Sequence, residues 1–209
     1  MAASDLKSAI LELNRAQTTS ELICATQAVS ALMDLEAAPT LIKVLGFNNP
    51  SVAAVAIQGL IALGRNVVPV LLTNLDERDY SARAWAIQAI ATLRDSRGLD
   101  LLERAISTDI APSVRRSATR GLAEMELGGP TFFQDFSRCC KAIFKAATDD
   151  EWVVRYAAAF GIEQRFTPRS SNHDLDEQAR VLLRSLASDS EKVKVVRLRA
   201  QHALKRLQA

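Results

Sequence analysis

The chain has 209 residues, 48% of them hydrophobic and only 5% aromatic, enough for one continuous domain with a sizeable core and weighted toward close-packed helices rather than sheets. A formal net charge of +2 argues against nucleic acid as the main partner, and no stretch reaches the roughly 18 apolar residues that a membrane span needs. The three cysteines, Cys24, Cys139 and Cys140, form no disulfide framework and point to a reducing cytoplasm.

From the amino end, Met1-Ala2-Ala3-Ser4-Asp5 has neither a basic nor an apolar leader segment, so no secretory signal is expected. The charge then drifts along the chain. Residues 1–50 carry 3 basic against 5 acidic side chains, residues 51–150 carry 12 against 12, and residues 151–209 carry 11 against 7.

Internal repetition decides the architecture. Cys24, Gln27, Ala28, Ala31, Leu32 and Leu35 form a weak opening copy of a pattern that is clear at Val52, Val55, Ala56, Gly59, Leu60 and Leu63. These positions lie on one face of an α-helix. The pattern returns at Ala82, Trp85, Ala86, Ala89, Ile90 and Leu93, then at Val114, Ser117, Ala118, Gly121, Leu122 and Met125. Further copies are Val154, Ala157, Ala158, Gly161 and Ile162, and Val196, Arg199, Ala200, Ala203, Leu204 and Leu207. Small residues one turn apart let a neighbouring helix approach closely while the branched residue fills its groove.

A second apolar helix precedes each clear copy: Leu41–Leu45, Val67–Leu75, Leu99–Ile106, Phe132–Ala147 and Leu175–Leu186. Breakers separate the two at Asn48-Asn49-Pro50, Asp76–Asp79, Asp109–Pro112, Asp149-Asp150 and Ser188–Ser190. The spacing is near 30 residues at first and lengthens to 40 and 42 through an insertion at Leu127–Thr131 and a polar loop at Thr167–Asp174. The expectation is all-α: a HEAT-like α-solenoid of about five to six stacked helix pairs, residues 1–209 forming a single repeat domain.

Arg83, Arg115, Arg155 and Arg197 each follow the first core position of their copy, with Asp76, Asp109, Asp149 and Asp189 six to eight residues before them. Their regularity favours a structural role, each Arg reaching the turn carboxylate or the carbonyls ending the preceding helix, over an anion-binding ladder. The face opposite the core is less regular. Positions two and six residues after the first core residue project about 200–240° around the helix, away from the packed side. They read Thr26 and Ser30, Ala54 and Gln58, Ala84 and Gln88, then Arg116 and Arg120, Tyr156 and Phe160, Leu198 and His202.

Two cations thus lie beside two aromatics on adjacent helices, either as a berth for a flat anionic ligand or as a protein–protein interface. In Ser137-Arg138-Cys139-Cys140, Cys140 falls in the middle of the apolar face set by Phe133, Phe136, Ile143 and Phe144, with Cys139 at its edge and Arg138 outside it. His173 and His202 stand at no ligand spacing from the cysteines, so no metal site is expected, and His173 reads as solvated. Trp85 and Trp152 read as packing residues. No nucleophile elbow, Gly-rich phosphate loop or zinc-protease motif is present.

The chain length, the Ala-rich helix pairs and the Arg138-Cys139-Cys140 run inside a Phe-rich helix resemble the small, F-type subunits of the heterodimeric E/F-type phycobilin lyases, in particular those acting on the phycocyanin α subunit. The resemblance spans essentially the whole chain. It implies binding of phycocyanobilin as substrate, with no separate cofactor, and its attachment by a reversible thioether to a cysteine of the phycocyanin α subunit. It implies an obligate larger E-type partner, itself HEAT-like, and a cytoplasmic setting without membrane insertion.

The related isomerising subunit carries Asn-His-Cys-Cys where this chain has Ser137-Arg138-Cys139-Cys140, a departure that argues for attachment without isomerisation. Under this resemblance Arg116 and Arg120 are expected to pair with the bilin propionates. Tyr156 and Phe160 would line its ring face, and Cys139 and Arg138 would stand near the reactive end. The alternative is a noncatalytic HEAT-repeat adaptor that binds phycobiliproteins.

Overall fold

The computed structural model describes residues 2–75, 78–166 and 173–208. Its twelve α-helices gather into two compact units, residues 1–93 and 94–209. The first unit holds α1 (Ala2–Arg15), α2 (Thr19–Ala31), α3 (Ala38–Leu45), α4 (Pro50–Ala62), α5 (Val68–Asn74) and α6 (Tyr80–Leu93). There α2, α4 and α6 stack side by side, with α3 packed against α4, α5 and α6. The second unit holds α7 (Leu99–Thr108), α8 (Pro112–Glu124), α9 (Phe132–Ala146), α10 (Trp152–Phe166), α11 (His173–Ala187) and α12 (Lys194–Gln208). Its inner row is α8–α10–α12 and its outer row α7–α9–α11. This is the all-α, HEAT-like solenoid packing that the repeat predicts.

Local chemistry sets the helix ends. Asn49 accepts the Val52 N–H at 3.3 Å and is followed by Pro50, so α4 starts with a capped donor and a preset φ. Thr18 and Glu21 form a reciprocal capping box at α2. Met33, Gly64 and Arg94 have φ of 52°, 70° and 55° at the same place in three successive repeats. There the inner helix stops and a short 3-10 turn leads to the next outer helix. Two of the three 3-10 turns are capped by Asp34 and Asp95, each accepting the N–H two residues on.

The small-residue signature does what close packing requires. A Cβ at Gly59 would land on the Ser30 side chain of α2, and one at Gly161 would stand 3.1 Å from Ile143 and 3.2 Å from Ala123. Val52, Ala56, Leu60, Ala86, Ile90, Ala118, Leu122, Ala158, Ile162, Ala200 and Ala203 are all buried, as their register predicts.

The opening copy takes a different register. In α2 the buried residues are Thr26 and Val29, whereas Cys24, Gln27, Ala28 and Ala31 are exposed. Thr26 and Ser30 therefore do not project outward as expected. Each hydroxyl donates to the carbonyl four residues back, at 2.6 and 2.8 Å, which lets a polar residue sit in the packed face. The breaker residue Asp76 and the loop 167–172 lie outside the described residues, as does the side chain of His173.

Candidate functional site

The regular arginines are structural. Arg115 closes a two-pronged ion pair on Asp149 at 2.7 and 2.8 Å while its Nη1 donates to the carbonyls of Asp109 and Ile110 at 3.0 Å. Arg155 repeats the arrangement one repeat later, with Glu191 at 2.6 and 2.9 Å and the carbonyls of Asp149 and Asp150 at 2.8 Å. Arg197 donates to the Glu191 carbonyl at 2.6 Å. Each of Arg115 and Arg155 thus joins its own turn to the carboxylate of the next turn. The fork geometry of guanidinium makes both contacts at once.

The carboxylates are not the expected ones of the preceding turn: Arg115 takes Asp149 rather than Asp109, and Arg155 takes Glu191 rather than Asp149. Burial works against ionisation of Asp149, yet the Arg115 hydrogen bonds and the Glu151 N–H outweigh it and hold its pKa below the usual value. Arg155 does the same for Glu191.

On α9 the thiols are deeper than helical angle predicts. Both Cys139 and Cys140 are 0% exposed, so Cys139 is not at an accessible edge. Helices α7, α8, α10 and α11 all pack on α9, which closes a wider sector than one apolar face. Burial pushes the Cys139 thiol up to about 11 and Cys140 up to about 12. Beside them lies Arg165 of α10, whose guanidinium donates to the carbonyls of Leu122 and Met125 and stands 3.9 Å from the Cys139 sulfur. It satisfies the open carbonyls at the end of α8. Arg138, outside the apolar face as expected, is held by Asp100 and Glu103 of α7, both at 2.5 Å. Its charge ties α9 to α7.

The outward stripe of the second unit is assembled. Arg116 and Arg120 are exposed on α8 and make no ion pair among the described residues; Tyr156 and Phe160 are half-buried on the adjacent α10. The Arg120 guanidinium lies over the Phe160 ring, 4.5 Å from its centroid. Helix α12 completes this face. Arg199 of α12 approaches the same ring at 5.5 Å and stands 2.8 Å from the carboxylate of Glu163. His202 and Arg206 each approach Glu163 at 3.9 Å. Leu198 beside them is 53% exposed.

Arg199 was marked in the sequence by a charge in a core slot that the other copies fill with Val55, Trp85, Ser117 and Ala157. Glu163 carried no such mark, because a carboxylate at the end of an apolar helix reads as solvated. Trp85 is half-buried, as a packing residue would be, but Trp152 is 44% exposed at the start of α10. The face can hold a planar acid: a ring system on the aromatics and carboxylates on the guanidinium groups.

Comparison with known proteins places the chain. The HEAT repeats family matches residues 38–123 and 68–141. The bilin biosynthesis protein RpcF of Synechococcus sp. (strain WH8020) is 53% identical over 207 residues, 98% of this chain and 97% of that protein. A phycocyanobilin lyase subunit beta of Nostoc sp. (strain PCC 7120) is 39% identical over 181 residues, 85% of this chain and 88% of that one. The solved complex of CpcE and CpcF of phycocyanin lyase from Nostoc sp. PCC7120 matches with a TM-score of 0.73 at 39% identity, covering 82% of this chain and 99% of the matched one. With relatives this similar over nearly its whole length, the chain belongs to the F-type, small-subunit family of the heterodimeric E/F-type phycobilin lyases, built on HEAT repeats.

Proposed function

We propose that the chain is the small subunit of a bilin lyase that binds phycocyanobilin and attaches it, reversibly, to a cysteine of the phycocyanin α subunit. It acts with a larger E-type subunit, as CpcF does with CpcE in the solved complex. The reaction is an addition: the antenna thiol forms a C–S bond to the ring A ethylidene carbon, and the thiol proton ends on the neighbouring ring carbon. Nothing is oxidised or reduced, and the reverse step returns both. What the reaction needs from protein is a bilin held in one conformation and one orientation.

The observation that carries this reading is Arg120 stacked over Phe160 on an exposed face shared by α8 and α10. The bilin lies along Tyr156 and Phe160 with Arg116 and Arg120 as carboxylate partners. Arg138 and Cys139, engaged in tying and filling α9, support the fold beneath that face. The bilin is substrate, and no separate cofactor is invoked. The setting is the cytoplasm, in keeping with three unpaired cysteines; no single described helix is long and apolar enough to cross a membrane.

Co-expression with the E-type subunit, phycocyanobilin and the apo-phycocyanin α subunit tests the function. A bilin adduct that survives acid denaturation is expected, and its formation should fall at least 10-fold with Arg116→Ala plus Arg120→Ala. A noncatalytic adaptor gives no covalent adduct under the same conditions.

A further inference from the structure

The cations of α8 flank α10 on one side. On the other side, α12 brings Arg199, His202 and Arg206 around a single carboxylate, Glu163, at 2.8, 3.9 and 3.9 Å. Their states differ. The side chains of Arg199 and Glu163 are 10% and 9% exposed, so this pair is internal and fixes Arg199 against Phe160. Those of Arg206 and His202 are 60% and 62% exposed and touch Glu163 only at the limit of an ion pair. Most of their donor capacity faces outward. One anion therefore serves up to three cations, and the α12 side of α10 keeps a cationic surplus that the fold does not consume.

The Arg120 and Arg199 guanidinium carbons lie 4.5 and 5.5 Å from one ring centroid, so they are no more than 10 Å apart. A ligand lying across α10 would have cations on both flanks. A dicarboxylic tetrapyrrole has one acid side chain for each.

We propose that Arg206 and His202 form a second carboxylate subsite, taking one propionate of the bilin while Arg116 and Arg120 take the other, with Glu163 and Arg199 as the positioning pair beneath. This rests on the bilin-binding reading above. Charge at Arg206 is required there, and a neutral ligand ester gains nothing from it.

The test uses the complex with the E-type subunit and two probes, phycocyanobilin and its dimethyl ester, with binding followed by absorbance titration. His202→Ala plus Arg206→Ala should weaken the free acid about 10-fold and leave the ester unchanged, and restoring position 206 as Arg206→Lys should recover most of the loss. Equal weakening of acid and ester would mark a structural role and overturn the subsite. So would an unchanged acid affinity while Arg116→Ala plus Arg120→Ala still weakens it. If the unmodified complex takes up neither probe, the bilin-binding reading itself fails, and the subsite with it.

Discussion

Cys139 and Cys140 sit among four packed helices with Arg165 laid across them. A thiol reacts as its thiolate, and one pushed up to about 11 is almost wholly protonated at neutral pH. Cys24, on the exposed side of α2, is open to solvent. Titration of the native chain with a thiol reagent at pH 8 should therefore label one cysteine quickly and the other two only on unfolding. Raising the pH to 9 should change the slow pair little, because access, and not ionisation alone, limits it. Rapid labelling of Cys139 in the native chain would reopen a chemical role for it. The reading of Cys139 as an edge thiol failed for a geometric reason: helical angle ranks positions around one helix, but the number of neighbours packed on that helix decides how far round burial extends.

The repeat helices were legible where their small residues serve contact and illegible where they do not. Gly59 and Gly161 fall at the signature position and both let a neighbour approach at near-backbone distance. In α2 the Ala28 and Ala31 that resemble this signature face solvent, and the contact is made by Ser30 against Gly59. Hydroxyls that bond back to their own helix are core residues in polar disguise, and no hydropathy pattern separates them from surface ones. The outward stripe was legible on α8 and α10 because Arg and aromatic residues interrupt a run of small neutral ones. Glu163 was not, because its role depends on α12, 36 or more residues further along the chain.

Gly161→Leu, which drives a branched side chain into Ile143 and Ala123, should destabilise the chain by about 2–3 kcal/mol. Gly128→Ala, where a Cβ meets nothing within 4 Å, should change stability by less than about 0.5 kcal/mol. Thermal or urea unfolding of the two variants measures the contrast. Equal effects would mean that the close approach of α10 to α9 and α8 contributes nothing.

Stability in a repeat protein is carried between neighbours, so a ligand bound across several helices protects those helices and leaves distant ones as they were. The proposed bilin face draws on α8, α10 and α12 of the second unit and on no residue of α1–α5. A ligand at 100 times its dissociation constant stabilises the bound state by about 2.7 kcal/mol. In a region whose amides exchange by opening that the ligand must release, this slows exchange by about 100-fold.

Hydrogen exchange of the complex with its E-type subunit, with and without phycocyanobilin, should therefore show slowing concentrated in residues 112–124, 152–166 and 194–208. Residues 19–62 should exchange at the same rate in both. The dimethyl ester, binding through its rings alone, should protect 152–166 and give less protection at 194–208, where the α12 cations lie. Slowing confined to residues 19–62 would place the bilin elsewhere. Slowing spread evenly over the whole chain would show only that the subunits had tightened on each other, without locating a face. Only the three-helix footprint requires the cations and rings of α8, α10 and α12 to act as one surface.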